Sequence, residues 1–114
     1  MRLRNAHLAV VERQKVIDYL LNAAHPDNSG KARFFGSLGF SIDEPERFMA
    51  ALRAHAQNGR VVESAHSAHG EKYVVEGSLS AHTEESGQRL VRTIWIIDRS
   101  REAPRLVTAY PGRE

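Results

Sequence analysis

The chain has 114 residues, 41% of them hydrophobic and 26% charged, which is room for one folded domain and too apolar a composition for a disordered chain. Its 16 basic and 14 acidic side chains leave a formal charge of only +2, so bulk charge does not single out nucleic acid as a partner. There is no cysteine, which excludes disulfides, thiolate metal sites, iron–sulfur clusters and cysteine nucleophiles, and no apolar run approaches the roughly 18 residues of a membrane span.

The opening residues lack the apolar core of a signal peptide, so a single cytoplasmic domain over residues 1–114 is expected, without a membrane partner. In residues 11–22 and just beyond, Val16, Ile17, Leu20, Leu21 and Ala24 recur at spacings of three and four, with Glu12, Arg13, Lys15 and Asp18 largely opposite. That period predicts an amphipathic helix, stopped before Pro26 by the turn-forming segment 25–30. A short second helix follows: Ser29 caps it, Phe34, Phe35 and Leu38 give it an apolar stripe, and Gly39 suits its close. The third helix has the clearest start, with Asp43 as cap, Pro45 in the first turn and Glu46 completing a capping box. Phe48, Ala51, Leu52 and Ala56 form its buried side, and Asn58-Gly59 ends it.

After Gly59 the period becomes two, and β-branched and aromatic residues dominate 60–66, 71–78, 90–98 and 105–110. The short connections let successive strands pair as an antiparallel meander. Helices first and strands second predict an α+β fold, with N-terminal helices over about 9–58 packed on one face of a roughly four-stranded antiparallel sheet over about 60–111. Alternation puts Val91, Thr93, Trp95 and Ile97 on one face of the third strand and Leu90, Arg92, Ile94 and Ile96 on the other. In the fourth strand it puts Leu106, Thr108 and Tyr110 together. Phe34, Phe35, Leu38, Phe48, Leu52, Trp95 and Ile97 are the expected core.

The blocks Tyr19-Leu20-Leu21-Asn22, His25-Pro26, Lys31-Ala32-Arg33-Phe34-Phe35, Gly39-Phe40, Gly70-Glu71-Lys72-Tyr73, Val91-Arg92-Thr93-Ile94-Trp95-Ile96-Ile97 and Pro104-Arg105-Leu106-Val107-Thr108-Ala109-Tyr110-Pro111 stand in one order along the chain. In this the sequence resembles a bacterial family, the domain of unknown function six-eight-eight-three, over nearly its whole length after about residue 7. Helices followed by an antiparallel sheet, an early basic residue and a Thr-Ala-Tyr-Pro ending are also similar to the ribonuclease toxin fold of barnase, EndoU, colicin D-like tRNases and RelE. The resemblance implies a toxin of a toxin–antitoxin or polymorphic toxin system that cleaves RNA, tRNA among the possible substrates, without a metal or cofactor. It also implies a cognate antitoxin or immunity protein as partner.

Such cleavage, in which a ribose 2′-hydroxyl attacks its own phosphate, needs a base, cations or donors around the phosphate, and an acid for the leaving 5′-oxygen. Lys31 stands at the start of the second helix, where free backbone N–H groups already favour phosphate; its plain alternative is a solvated lysine. Arg92 and Lys72 come from strand interiors, where a long cation must reach an edge, a partner or a ligand. Arg92 has a guanidinium fork for phosphate, against the alternative of an internal salt bridge to a carboxylate such as Glu76. Thr108 and Tyr110 offer hydrogen bonds, and Tyr110 can also stack on a base.

The histidines are His7, His25, His55, His66, His69 and His82. His25 approaches the same helix start as Lys31, and His66 is a second acid–base candidate at a strand end. His55, beside Arg53, is expected at the surface. His66 and His69 stand three apart without a third ligand set, so a solvated hairpin tip is preferred to a metal site. The competing class is a non-catalytic binding module, the antitoxin or immunity partner itself. An antitoxin to an RNA-binding toxin is expected to be acidic, which this chain is not.

Overall fold

The switch of period at Gly59 divides the molecule as the sequence predicts. The computed structural model describes residues 1–25, 29–80 and 88–112; Pro26 and His82 lie outside them. Helix α1 begins as an α-turn at Arg13–Lys15 and continues as a π-helical turn, Val16–Leu20, closed by a hydrogen bond from Leu21 N–H to Val16 O of 2.9 Å. α2 spans Ser29–Ser37 and α3 spans Pro45–Asn58. The strands are β1 (Arg60–Ser67), β2 (Gly70–Ser80), β3 (Gln88–Asp98) and β4 (Arg105–Pro111), antiparallel in the order β1-β2-β3-β4.

Two helix ends differ from their sequence signals. Asp43 does not cap α3. The cap position is Glu44, with Pro45 at the first turn, and the Glu44 side chain makes no capping hydrogen bond to the helix start. Gly59 closes α3 in extended backbone (φ −77°); glycine is needed there for space, because a Cβ would lie 2.6 Å from Val75 Cγ1. Gly39, by contrast, has φ +91°, the left-handed conformation predicted for the end of α2.

The helices cover one sheet face. Val91, Thr93, Trp95 and Ile97 are buried beneath them with Phe35, Leu38, Phe48 and Leu52, while Phe34 is only half-buried at the rim. Three aromatic rings form the centre of the helical layer, Phe48 lying 4.8 Å from Phe35 and 4.7 Å from Phe40. The N-terminal segment crosses this layer between the two sheet edges. Met1 O accepts from Val61 N–H of β1 at 2.7 Å, and Val10 forms a parallel bridge to Arg105 of β4. Leu3, Ala9 and Val11 bury their side chains on the way. Among the described residues no helix is long and apolar enough to cross a membrane.

Strict alternation fails once in β4. The register moves from Trp95↔Leu106 to Ile94↔Thr108, so Val107 is an extra residue. Leu106 therefore turns into the core opposite Trp95, and Thr108 and Tyr110 register with Ile94 and Arg92 on the other parity. The expectation that Leu106 shares a side with Thr108 and Tyr110 is corrected by this bulge; the pairing of Thr108 with Tyr110 is not affected by it.

Candidate active site

At the β4 edge, side chains from three elements meet. Lys31, in the first turn of α2, directs Nζ to the Tyr19 hydroxyl at 2.8 Å and to Thr108 Oγ1 at 3.0 Å. An ammonium has three N–H donors and no acceptor; among the described residues these bonds occupy two, leaving one for a ligand. Lys31 Nζ also stands 5.0 Å from the Tyr19 ring centroid, with Lys15 Nζ at 5.9 Å from the same ring. His25 sets its ring edge against Tyr19 at a centroid separation of 5.1 Å. The hydrogen bond from the Lys31 ammonium lowers the Tyr19 hydroxyl pKa below its ordinary 10.0, against burial that would raise it, and Thr108 adds to the lowering. The group is half-buried, so it is held in place and still open to a ligand.

Two residues along β4, about 7 Å away, Tyr110 registers with Arg92. Arg92 Nε donates to Glu76 Oε2 at 2.9 Å, and Glu76 also faces Arg60 Nη2 at 3.6 Å. The salt bridge to Glu76 weighed for Arg92 is thus present. It raises the arginine pKa further, with a smaller contribution from Tyr110, and lowers that of Glu76. The guanidinium is oriented by this bond on one side and by Tyr110 on the other. Lys72 shares the Arg92 parity but registers with Ile96, four residues from Arg92 along β3 and about 13 Å down the sheet. His66 lies on the opposite parity at the hairpin end, exposed, with Nε2 3.8 Å from Glu71 Oε1. The structure therefore brings Lys31, Thr108 and His25 together around Tyr19, sets Arg92 and Tyr110 beside them, and leaves Lys72 and His66 apart.

The model of one sequence family, the domain of unknown function DUF6883, matches residues 2–113. The chain belongs to this family. No curated protein matches it. A chain of the contact-dependent growth inhibition toxin–immunity protein complex from Klebsiella pneumoniae 342 superposes with a TM-score of 0.71 over 96% of this chain and 97% of that one, at 15% identity. The DUF6883 domain therefore shares the fold of that chain.

Two features of this DUF6883 domain escape its sequence pattern. Tyr19 is the hub of the edge cluster, yet nothing in its spacing marks it. The available signal is an aromatic residue on the half-polar side of α1, between the buried Val16 and Leu20. His55 is the converse. It is not at the surface but 3% exposed beneath the sheet. Its Nε2–H is shared by Gly77 O at 3.0 Å and Val91 O at 2.9 Å, and Nδ1 accepts from the Thr93 hydroxyl at 3.0 Å. Thr93 Oγ1 in turn accepts from Trp95 Nε1–H at 2.7 Å. Burial pushes the His55 pKa below 6.5, so the ring is neutral with its proton on Nε2. The spacing 48, 52, 55, which follows the apolar stripe of α3, is the signal that Arg53 obscured.

Proposed function

We propose that this domain is the toxic enzyme of a toxin–antitoxin or polymorphic toxin system, an endoribonuclease that cleaves RNA, tRNA among the candidate substrates, by 2′-hydroxyl attack on the adjacent phosphate. The observation that carries this reading is the Lys31 ammonium held between the Tyr19 and Thr108 hydroxyls at an open sheet edge, with one N–H that no other described residue takes. A fixed cation with a spare donor suits the charge that develops on a pentavalent phosphate. Thr108 fixes Lys31, Arg92 adds its guanidinium charge from the neighbouring position, and Tyr110 offers a ring for a base. His25, the histidine against the cluster, serves proton transfer. Lys72 and His66, assigned to the same site by sequence, contribute at most to the path of a longer RNA. The attacking oxygen belongs to the RNA and the cations to the protein, so the scheme requires no metal.

The same fold supports a second reading, because the similar chain comes from a complex that includes an immunity protein as well as a toxin. The two separate in one experiment. Induced expression of the chain alone arrests bacterial growth and leaves cleaved RNA, purified protein cleaves tRNA or mRNA equally with and without EDTA, and an acidic cognate protein restores growth. Harmless expression together with rescue of cells from a neighbouring toxin would establish the immunity role instead. Chelator-sensitive cleavage would replace the mechanism with a metal-dependent one.

A further inference from the structure

We propose that Tyr19 is the general base of the reaction, its hydroxyl oxygen taking the 2′-hydroxyl proton from a position fixed by Lys31, Thr108 and His25. The assignment rests on the ribonuclease reading and names a residue that neither the sequence pattern nor the fold designates. Three observations carry it. The Tyr19 oxygen is 2.8 Å from the Lys31 nitrogen that is the phosphate donor in that reading, so a base there is adjacent to the reacting phosphate. Two cations, Lys31 and Lys15, stand 5.0 and 5.9 Å from its ring centroid, and positive charge beside a phenol favours the phenolate. The ring is also fixed on a third side by the His25 edge at 5.1 Å, so the oxygen is aimed rather than swept through solvent.

The step balances. Tyr19 phenolate oxygen takes the proton of the 2′-hydroxyl as the 2′-oxygen forms its bond to phosphorus, and the bond from phosphorus to the 5′-oxygen breaks. The departing 5′-oxygen takes a proton from the imidazolium of His25. The products are a 2′,3′-cyclic phosphate and a 5′-hydroxyl, after which Tyr19 releases its proton to water and His25 regains one. The Lys31 hydrogen bond lowers the Tyr19 pKa below its ordinary 10.0, a shift that favours the phenolate.

The test compares native protein with Tyr19→Phe and His25→Ala on a short RNA and on uridine 3′-(4-nitrophenyl phosphate), whose leaving group departs without an acid. On RNA, Tyr19→Phe should lower kcat about 100-fold or more with KM little changed, as expected for a lost proton-transfer group. On the nitrophenyl ester, which needs no acid, native kcat/KM should rise with pH along the titration of a tyrosine that ultraviolet difference spectra detect below pH 10 in the native protein and not in Tyr19→Phe. On the nitrophenyl ester, His25→Ala should regain most of the native rate and Tyr19→Phe should not. Recovery of Tyr19→Phe on that ester makes Tyr19 the acid and overturns the assignment, as does native-like cleavage of RNA by Tyr19→Phe. A native chain that cleaves neither substrate overturns the ribonuclease reading and this assignment together, so the two failures are distinguishable. Because phenylalanine keeps the ring, an unchanged Tm separates loss of the hydroxyl from loss of the fold.

Discussion

His55, Thr93 and Trp95 form one hydrogen-bonded group beneath the sheet, and Tyr19, His25, Lys31 and Thr108 form another at its β4 edge. Both combine a histidine, a threonine hydroxyl and an aromatic ring, yet they are built to opposite ends. The buried group is closed: the His55 and Trp95 N–H groups and the Thr93 hydroxyl all meet acceptors, none of the three side chains is charged, and no donor is left for a ligand. The edge group carries the Lys31 charge and, among the described residues, has a donor to spare. Satisfaction makes the first a contributor to stability, because buried polar groups are tolerated only when partnered. Incompleteness makes the second the candidate site.

Substitutions can break that division. The largest effect is expected at the edge: Lys31→Met should lower RNA cleavage by roughly 100- to 1,000-fold, the scale of removing one preorganised donor, while urea unfolding shifts by less than about 1 kcal/mol. A large loss of stability with retained cleavage would make Lys31 a structural residue. His55→Ala should behave in reverse, losing about 2–4 kcal/mol in denaturant unfolding by opening a cavity and orphaning Thr93. Its specific cleavage rate, measured well below its Tm, should stay within a few-fold of native.

A gentler perturbation sharpens the same contrast. The His55 pKa is lowered in the folded state, so the unfolded chain binds a proton near pH 6.5 that the native chain refuses. Its stabilising contribution is complete above that pH and declines as pH falls toward the folded value, by at most about 1.4 kcal/mol per unit. Denaturant midpoints measured between pH 8 and pH 5 should fall in the native protein and flatten in His55→Gln. Glu71, Glu76 and Asp98, whose pKa values are also lowered, add their own loss only below their ordinary carboxylate range of 3.8 to 4.5. The smallest effect is expected at Arg92, which Glu76 already engages through Nε. Arg92→Ala should reduce cleavage about fivefold, and a loss comparable to that of Lys31→Met would move the centre of the site toward Tyr110.

How much of this is legible in the sequence follows from what a pattern can encode. Period and caps record which face of an element is buried, so the three helices, the four strands and the buried set of β3 are readable. Place at a helix start marks Lys31 and strand parity pairs Thr108 with Tyr110, but the contact between Lys31 and Thr108 spans 77 positions, and no local spacing records it. Tyr19 was missed for the added reason that it lies in a π-helical turn, where the 3.6-residue period used to assign faces does not hold. His55 was misplaced because its charged neighbour outweighed its position on the apolar stripe of α3.

The extra residue in β4 shows a different kind of dependence. Without Val107 the strand would alternate regularly, with Leu106 and Ala109 still inward and Thr108 and Tyr110 still on the other parity. What the insertion supplies is local bend and twist, and it supplies them one residue before the hydroxyl that Lys31 reaches. Deleting Val107 would keep every side chain of the cluster and every apolar partner of Trp95 while changing the angle at which Thr108 meets Lys31. The site is thus tunable by chain length as well as by composition: two homologues with identical cluster residues but β4 strands differing by one position would hold the same parts at different angles.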